Sequence, residues 1–258
     1  MKIRIGRIPY LNSEIFYGGL KASELELISL VPSALSEAAR EGFIDSGPLP
    51  TVTFFELNEN FEPLGNFCIA TTDRARSIFL YSRRPIEKLD GATIGVTSET
   101  TTTVQLMKAI FAEKFSVEPA DYVSLDKPCD AFLLIGDIAL RFRKGIEGYS
   151  YQYDLGEVWN QWTDLPFVFA QWAIRKDMDS TIKNEIEALL KISMEDSLAN
   201  LDMIAKDRKD LDMTAEEIAE YIVSFNYRIG KREIKGKQRF KELLYGNSIT
   251  NILGASHA

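Results

Sequence analysis

Short apolar runs alternate with amphipathic helical patterns through the first two-thirds of the chain, and beyond Asp179 the pattern turns to helix alone. Alternation of this kind marks parallel βαβ units, in which crossover helices cover the faces of a sheet. The spacing predicts strands near 2–8, 25–30, 43–47, 67–71 and 77–82, with helices near 13–20, 32–41 and 50–57. Pro32-Ser33 fits a helix start and Gly42 its stop.

A second set begins at Gly91, with strands over 92–97, 120–124, 131–135 and near 150–153, and helices over 102–115, 137–143 and 154–163. After the apolar stretch Phe167 to Ile174, helices are predicted over 180–206, 214–226 and 236–245. Strands followed by a helical tail imply a chain that crosses to a second lobe and returns. Lobe I is read as 1–85 plus 175–258 and lobe II as 86–174, with crossings near 83–90 and 166–176. A chain of 258 residues can supply a core to each. The fold class is α/β, and a ligand would sit between the lobes at the carboxyl ends of strands, with closure around it expected.

A net charge of −8 argues against a nucleic-acid or anionic-membrane surface, which needs Lys and Arg massed on one face. No window approaches the roughly 18–20 apolar residues of a membrane span. Met1 to Gly6 enters a strand pattern at once, without an apolar leader, so a cytoplasmic location is expected. Cys68 and Cys129 have neither metal nor redox spacing and are read as buried free thiols. The single histidine, His257, stands one residue from the end, which leaves no histidine acid, base or metal ligand for a core site. Walker A and GxGxxG patterns are missing too, so no cofactor and no metal are expected. Monomer and homodimer both stay open.

Against that background the run Ser98-Glu99-Thr100-Thr101-Thr102-Thr103 stands out, set between an apolar strand and an amphipathic helix. Hydroxyls and free backbone N–H groups at a helix start suit a carboxylate or phosphate. Thr100 or Thr102 could equally be a simple cap, although four threonines exceed what one cap needs. Asn12, in Tyr10-Leu11-Asn12-Ser13, either caps the first helix, as Ser13 also could, or points from the strand end to a substrate. Gly42 to Pro50 reads as a turn or as cleft wall, and Ser77 as a strand end. After Phe132-Leu133-Leu134-Ile135, Asp137 is an N-cap candidate and Gly136 a candidate for offering its N–H to a ligand. Trp159, Trp162, Phe167, Phe169 and Trp172 are core by residue type, although a cyclic substrate could stack there.

Taken in order, these segments resemble the chorismate dehydratases of the futalosine route to menaquinone, proteins with a two-lobed, periplasmic-binding-protein-like (type 2) fold. The segments are Gly6 to Asn12, Gly42 to Pro50, Phe67-Cys68-Ile69-Ala70 with Ser77, Glu99 to Leu106, Leu134 to Arg141, and Asp154-Leu155-Gly156 through Trp159 to Leu165–Ala170 and Trp172. The family's Ser-x-Thr-Ser pattern is matched by Thr100 to Thr103, with threonine at two positions where serine is usual. The donors survive, and the added methyls narrow the pocket.

The resemblance implies cofactor-independent loss of water from chorismate to give 3-[(1-carboxyvinyl)oxy]benzoate. It implies Asn12 as an orienting donor, with the substrate's own enolpyruvyl carboxylate as base and Glu99 as a competing one. It also implies Ser77, Glu99, Thr100, Thr102, Thr103, Gly136 and Asp137 as substrate contacts. The related 1,4-dihydroxy-6-naphthoate synthases match less well, because they rely on a cleft histidine. A solute-binding protein for a small carboxylate is the other reading, since a fold does not fix a function.

Overall fold

Two mixed sheets organise residues 2–20 and 23–246, which this computed structural model describes. The strands are β1 (Ile3–Arg7), β2 (Leu25–Ser29), β3 (Ser46–Pro50), β4 (Phe61–Thr71), β5 (Ile78–Ser82), β6 (Thr93–Val96), β7 (Asp121–Ser124), β8 (Ala131–Ile135), β9 (Tyr151–Asp154), β10 (Phe167–Arg175) and β11 (Phe225–Arg228). The α-helices are α1 (Pro32–Arg40), α2 (Thr51–Glu56), α3 (Thr102–Ala109), α4 (Gly136–Arg141), α5 (Leu155–Thr163), α6 (Ser180–Ala199), α7 (Leu201–Asp207), α8 (Ala215–Val223) and α9 (Lys231–Tyr245). One sheet runs β11-β4-β10-β3-β1-β2 and the other β7-β6-β8-β5-β9.

The chain changes sheets earlier than the succession of strands and helices implies. β5 was expected in the first lobe and β10 in the second, but β5 pairs with β8 and β9, whereas β10 pairs with β3 and β4. The crossings therefore fall at 72–77 and 164–166. Arg83-Arg84-Pro85 resembles a linker because it is charged and helix-breaking, yet it only turns β5 toward a short 3-10 helix, Ile86–Lys88.

Parallel pairing holds for β1–β2 and for β6 with β7 and β8, as βαβ units require. Strands next to a crossing are antiparallel: β5 to β8 and β9, and β10 to β3 and β4. The strand expected at 43–47 begins at Ser46, and its contact with β1 is the single pair Ile5–Ser46. The next residue of β3, Gly47, still lies against Gly6 of β1, where an added Cβ would come within 3.1 Å of the Gly6 carbonyl oxygen, while Pro48 and Pro50 pair with Trp172 and Ala170 of β10.

The helical tail departs from expectation twice. Asn200, at φ −133° and ψ 49°, breaks the 180–206 helix into α6 and α7. Phe225-Asn226-Tyr227-Arg228 leaves the helical pattern for an edge strand, because Phe225 and Tyr227 alternate inward against β4. His257 lies outside the described residues.

One apolar core runs through both lobes, joining Ile5, Phe16, Phe67 and Trp172 of the first to Leu80, Ile94, Leu106 and Leu133 of the second. Aromatic edges lock it: Phe16 stands 5.4 Å from Trp172, and Phe167 stands 5.2 Å from Trp159 and 4.8 Å from Phe240. Each fully buried large side chain contributes about 1.5–3 kcal/mol of burial free energy. Trp159, Phe167 and Trp172 thus belong to the core, and Phe169 alone of the expected aromatic set faces the space between the lobes. Cys68 is fully buried and Cys129 half-buried, both as free thiols.

Candidate active site

A cavity partly open to solvent lies where the two sheets face each other. Its apolar walls come from Ile8, Ile69 and Phe169 on one lobe and from Ile78 and Ile135 on the other. Its polar groups are Tyr10, Asn12, Ser77 and the turn Thr100–Thr103. No charged side chain lines it among the described residues.

The chain leaves β1 at Arg7 and turns at Tyr10 into a 3-10 helix, Leu11–Phe16. Leu11, Ile15 and Phe16 are buried and pull that helix into the core. Neither cap expected from the sequence forms: Tyr10 is the N-cap and makes no side-chain capping bond. Ser13 Oγ instead sits 2.6 Å from the Ile8 carbonyl and 3.0 Å from the Tyr10 carbonyl, closing the turn. That frees Asn12, whose side chain reaches the cavity.

Opposite, β6 ends and α3 begins with Thr101 as N-cap, again with no side-chain capping bond. The first N–H groups of α3 have no intrahelical acceptor, and the helix dipole adds positive potential there. Thr102 Oγ1 accepts from Val52 N–H at 3.3 Å, and Thr101 Oγ1 stands 3.2 Å from Ser36 Oγ, so both tie this turn to the first lobe. Thr100 Oγ1 is buried without a hydrogen-bond partner. Its donor is uncommitted.

Ser77 sits at the first crossing. Its carbonyl accepts from Gly136 N–H at 2.9 Å, and its hydroxyl accepts from Tyr221 at 2.7 Å while lying 3.3 Å from the Ala75 carbonyl. Burial raises the Tyr221 phenol far above its ordinary range, so it remains a donor. Gly136, at φ +61°, lies under the Tyr10 ring, where an added Cβ would come within 2.8 Å of three ring atoms. Its N–H is taken by Ser77 rather than offered to a ligand.

Two expected contacts stand outside the lining. The N-cap of α4 is Ile135, and Asp137 turns its carboxylate away to accept Leu11 N–H at 2.9 Å and to pair with Arg208. Burial raises the Asp137 carboxyl, opposed by Leu11 N–H and the Arg208 guanidinium. Glu99 accepts the Tyr10 hydroxyl at 2.6 Å, and its carbonyl accepts Ser33 N–H at 3.0 Å. Burial, then Glu99, raises the Tyr10 phenol far above its usual value. Asn12, Ser77, Thr100, Thr102, Thr103 and Gly136 do converge on one cavity. Tyr10 was legible only as part of a motif, and Tyr221 and Arg208 carried no local signal, being 144 and 71 residues from their partners.

The two-lobed α/β architecture with its cavity between the sheets defines the class: a periplasmic-binding-protein-like fold. Within it, the chain belongs to the menaquinone-biosynthesis family, whose model matches residues 3–246. It is similar to a chorismate dehydratase of Thermus thermophilus, at 24% identity over 93% of this chain and 94% of that protein. A solved structure from Archaeoglobus fulgidus superposes with a TM-score of 0.79 at 17% identity, covering 96% of this chain and 98% of its own. One from Candida albicans, described as having the generic periplasmic binding protein fold, superposes at 0.59 and 15% identity, covering 94% and 90%. No helix among the described residues is long and apolar enough to cross a membrane.

Proposed function

We propose that this chain is a chorismate dehydratase, eliminating water from chorismate to give 3-[(1-carboxyvinyl)oxy]benzoate without a cofactor. The observation that carries the reading is the facing of Asn12 and the Thr100–Thr103 turn across an apolar slot between the lobes. A six-membered ring with two carboxylates matches that layout, with the apolar walls against the ring and neutral donors against the anions. Membership of the menaquinone-biosynthesis family and the Thermus relative support it.

In this reading the C3–H bond of chorismate breaks as its proton passes to the substrate's enolpyruvyl carboxylate. The electron pair moves into the ring, the C4–O bond breaks, and the departing hydroxyl leaves as water with the transferred proton. The ring becomes aromatic, so the barrier lies in removing the proton from carbon. Asn12 holds the enolpyruvyl arm over C3, and that proximity supplies much of the rate. Thr100, Thr102 and Thr103, with the first N–H groups of α3, stabilise charge developing on the ring carboxylate. Ser77 completes the contact by exchanging its long bond to Ala75 for a substrate oxygen.

The test is incubation of the pure protein with chorismate, following loss of the diene absorbance and appearance of the benzoate. Turnover without added metal or cofactor supports the reading. Tight binding without turnover would replace it with a solute-binding role.

A further inference from the structure

We propose that Glu99 serves the dehydration as a positioning residue that clasps the two lobes, and that it is not the base. The inference rests on the dehydratase reading and deepens it at the same site. Glu99 precedes the threonine turn of the second lobe, whereas Tyr10 opens the 3-10 helix that carries Asn12 in the first. The Tyr10 hydroxyl donates to Glu99 Oε2 at 2.6 Å, and Ser33 N–H donates to the Glu99 carbonyl at 3.0 Å. One residue therefore grips the first lobe at two points, immediately before the turn that offers its donors to the cavity.

The Tyr10 ring is fixed on its other side as well. It lies flat on Gly136, too close for any β-carbon there. Its phenol keeps its proton, since burial and the neighbouring carboxylate both oppose ionisation. Tyr10 is thus a spacer between Glu99 and Gly136, and its backbone starts the turn that aims Asn12. The Glu99 carboxylate is spent on that spacer and is not among the groups lining the cavity. A base must reach carbon-bound hydrogen directly, so a carboxylate held behind a tyrosine is misplaced for proton abstraction. Neutral cavity donors and a fixed Asn12-to-threonine distance are what this clasp preserves.

Glu99→Gln separates the two roles, because its amide oxygen can still accept the Tyr10 hydroxyl but the side chain cannot act as a base. Turnover of chorismate by wild type, E99Q, E99A, Y10F and the Y10F/E99A double variant is measured across pH. The clasp predicts that E99Q keeps kcat within about threefold and retains the wild-type pH profile. It predicts that E99A and Y10F each lose about tenfold or more in kcat, the scale of one charge-assisted hydrogen bond. The double variant then falls no further than the worse single one. A loss of about a thousandfold in E99Q, with its acid limb abolished and Y10F near wild type, would overturn the proposal. Amide exchange of residues 100–104 supplies a readout apart from activity: protection must fall in E99A and Y10F and hold in E99Q. Unchanged protection in E99A would overturn the clasp whatever the kinetics. Wild-type protein that binds chorismate without turnover would instead sink the dehydratase reading, with the exchange pattern still deciding the clasp.

Discussion

Asp154 Oδ2 accepts the backbone N–H of Arg76 at 2.6 Å, binding the first crossing between lobes to the start of α5. Its other oxygen receives Ala75, Gly156 and Glu157 N–H groups at 2.9–3.1 Å. One carboxylate thus caps a helix and holds the crossing in place, including Arg76 at φ +59°. Asp154→Ala leaves these buried donors unpaired and should cost at least about 2 kcal/mol. Urea denaturation reads this directly, and an unchanged midpoint would show that the crossing needs no such anchor.

Asn12 makes no capping bond and faces the cavity, so its removal should separate chemistry from stability. Asn12→Ala is expected to lower kcat by about 10²–10³ while costing no more than about 1 kcal/mol of stability. Paired turnover and melting measurements check it. Normal turnover of chorismate by the variant would remove Asn12 from the mechanism.

Thr100 Oγ1 is buried without a partner, a cost that a hydroxyl tolerates only if something else uses it. Thr100→Val keeps the shape and deletes the donor. The variant should be as stable as wild type or more so, with KM for chorismate raised about tenfold, the equivalent of about 1.4 kcal/mol. A drop in melting temperature with unchanged KM would mark the hydroxyl as structural.

Gly136 cannot accept a side chain without displacing Tyr10 and straining φ +61°. Gly136→Ala should cost about 1–3 kcal/mol. Chemical denaturation tests it, and a variant of wild-type stability would mean that the Tyr10 ring is free to move.

Lys237 on α9 bonds to Gln171 and lies 4.6 Å from the Phe54 ring centre, and burial lowers its pKa from 10.5 to about 8. Between those values the unfolded chain holds the Lys237 proton that the folded chain has lost, so Lys237 by itself contributes a rise in stability from about pH 8 toward 10.5. That rise is set against the fall contributed by Cys68 and the buried tyrosines, whose protonated forms burial favours. Lys237→Met should abolish that rise. Wild-type and K237M stabilities that run parallel over this range would remove Lys237 as its source.

Much of this arrangement can be read in the residues themselves. Apolar alternation marks the strands around Ile5, Ile94 and Leu133, because a buried strand must be apolar whatever its partner. The Thr100–Thr103 turn and Asn12 stand out as polar residues where strands end, but helix capping explains such residues equally well, and spacing alone does not choose between the two uses. The lobe assignment of β5 and β10 was not legible, since hydrogen-bond partners are chosen by tertiary pairing and adjacent crossings look alike as charged turns. Asp137 shows the same limit at a single residue. Its local context fits a helix cap, and its real partner, Arg208, lies 71 residues away.

The neutral lining of the cavity has a consequence for ionic strength. Sites that hold anions with Lys or Arg lose affinity as salt screens the attraction. Here the donors are hydroxyls, an amide and peptide groups, while the chain as a whole carries −8. For the dianionic substrate proposed, screening would therefore act mainly on its long-range repulsion from a negative protein. Moderate salt should speed encounter with such a ligand and leave its residence time nearly untouched.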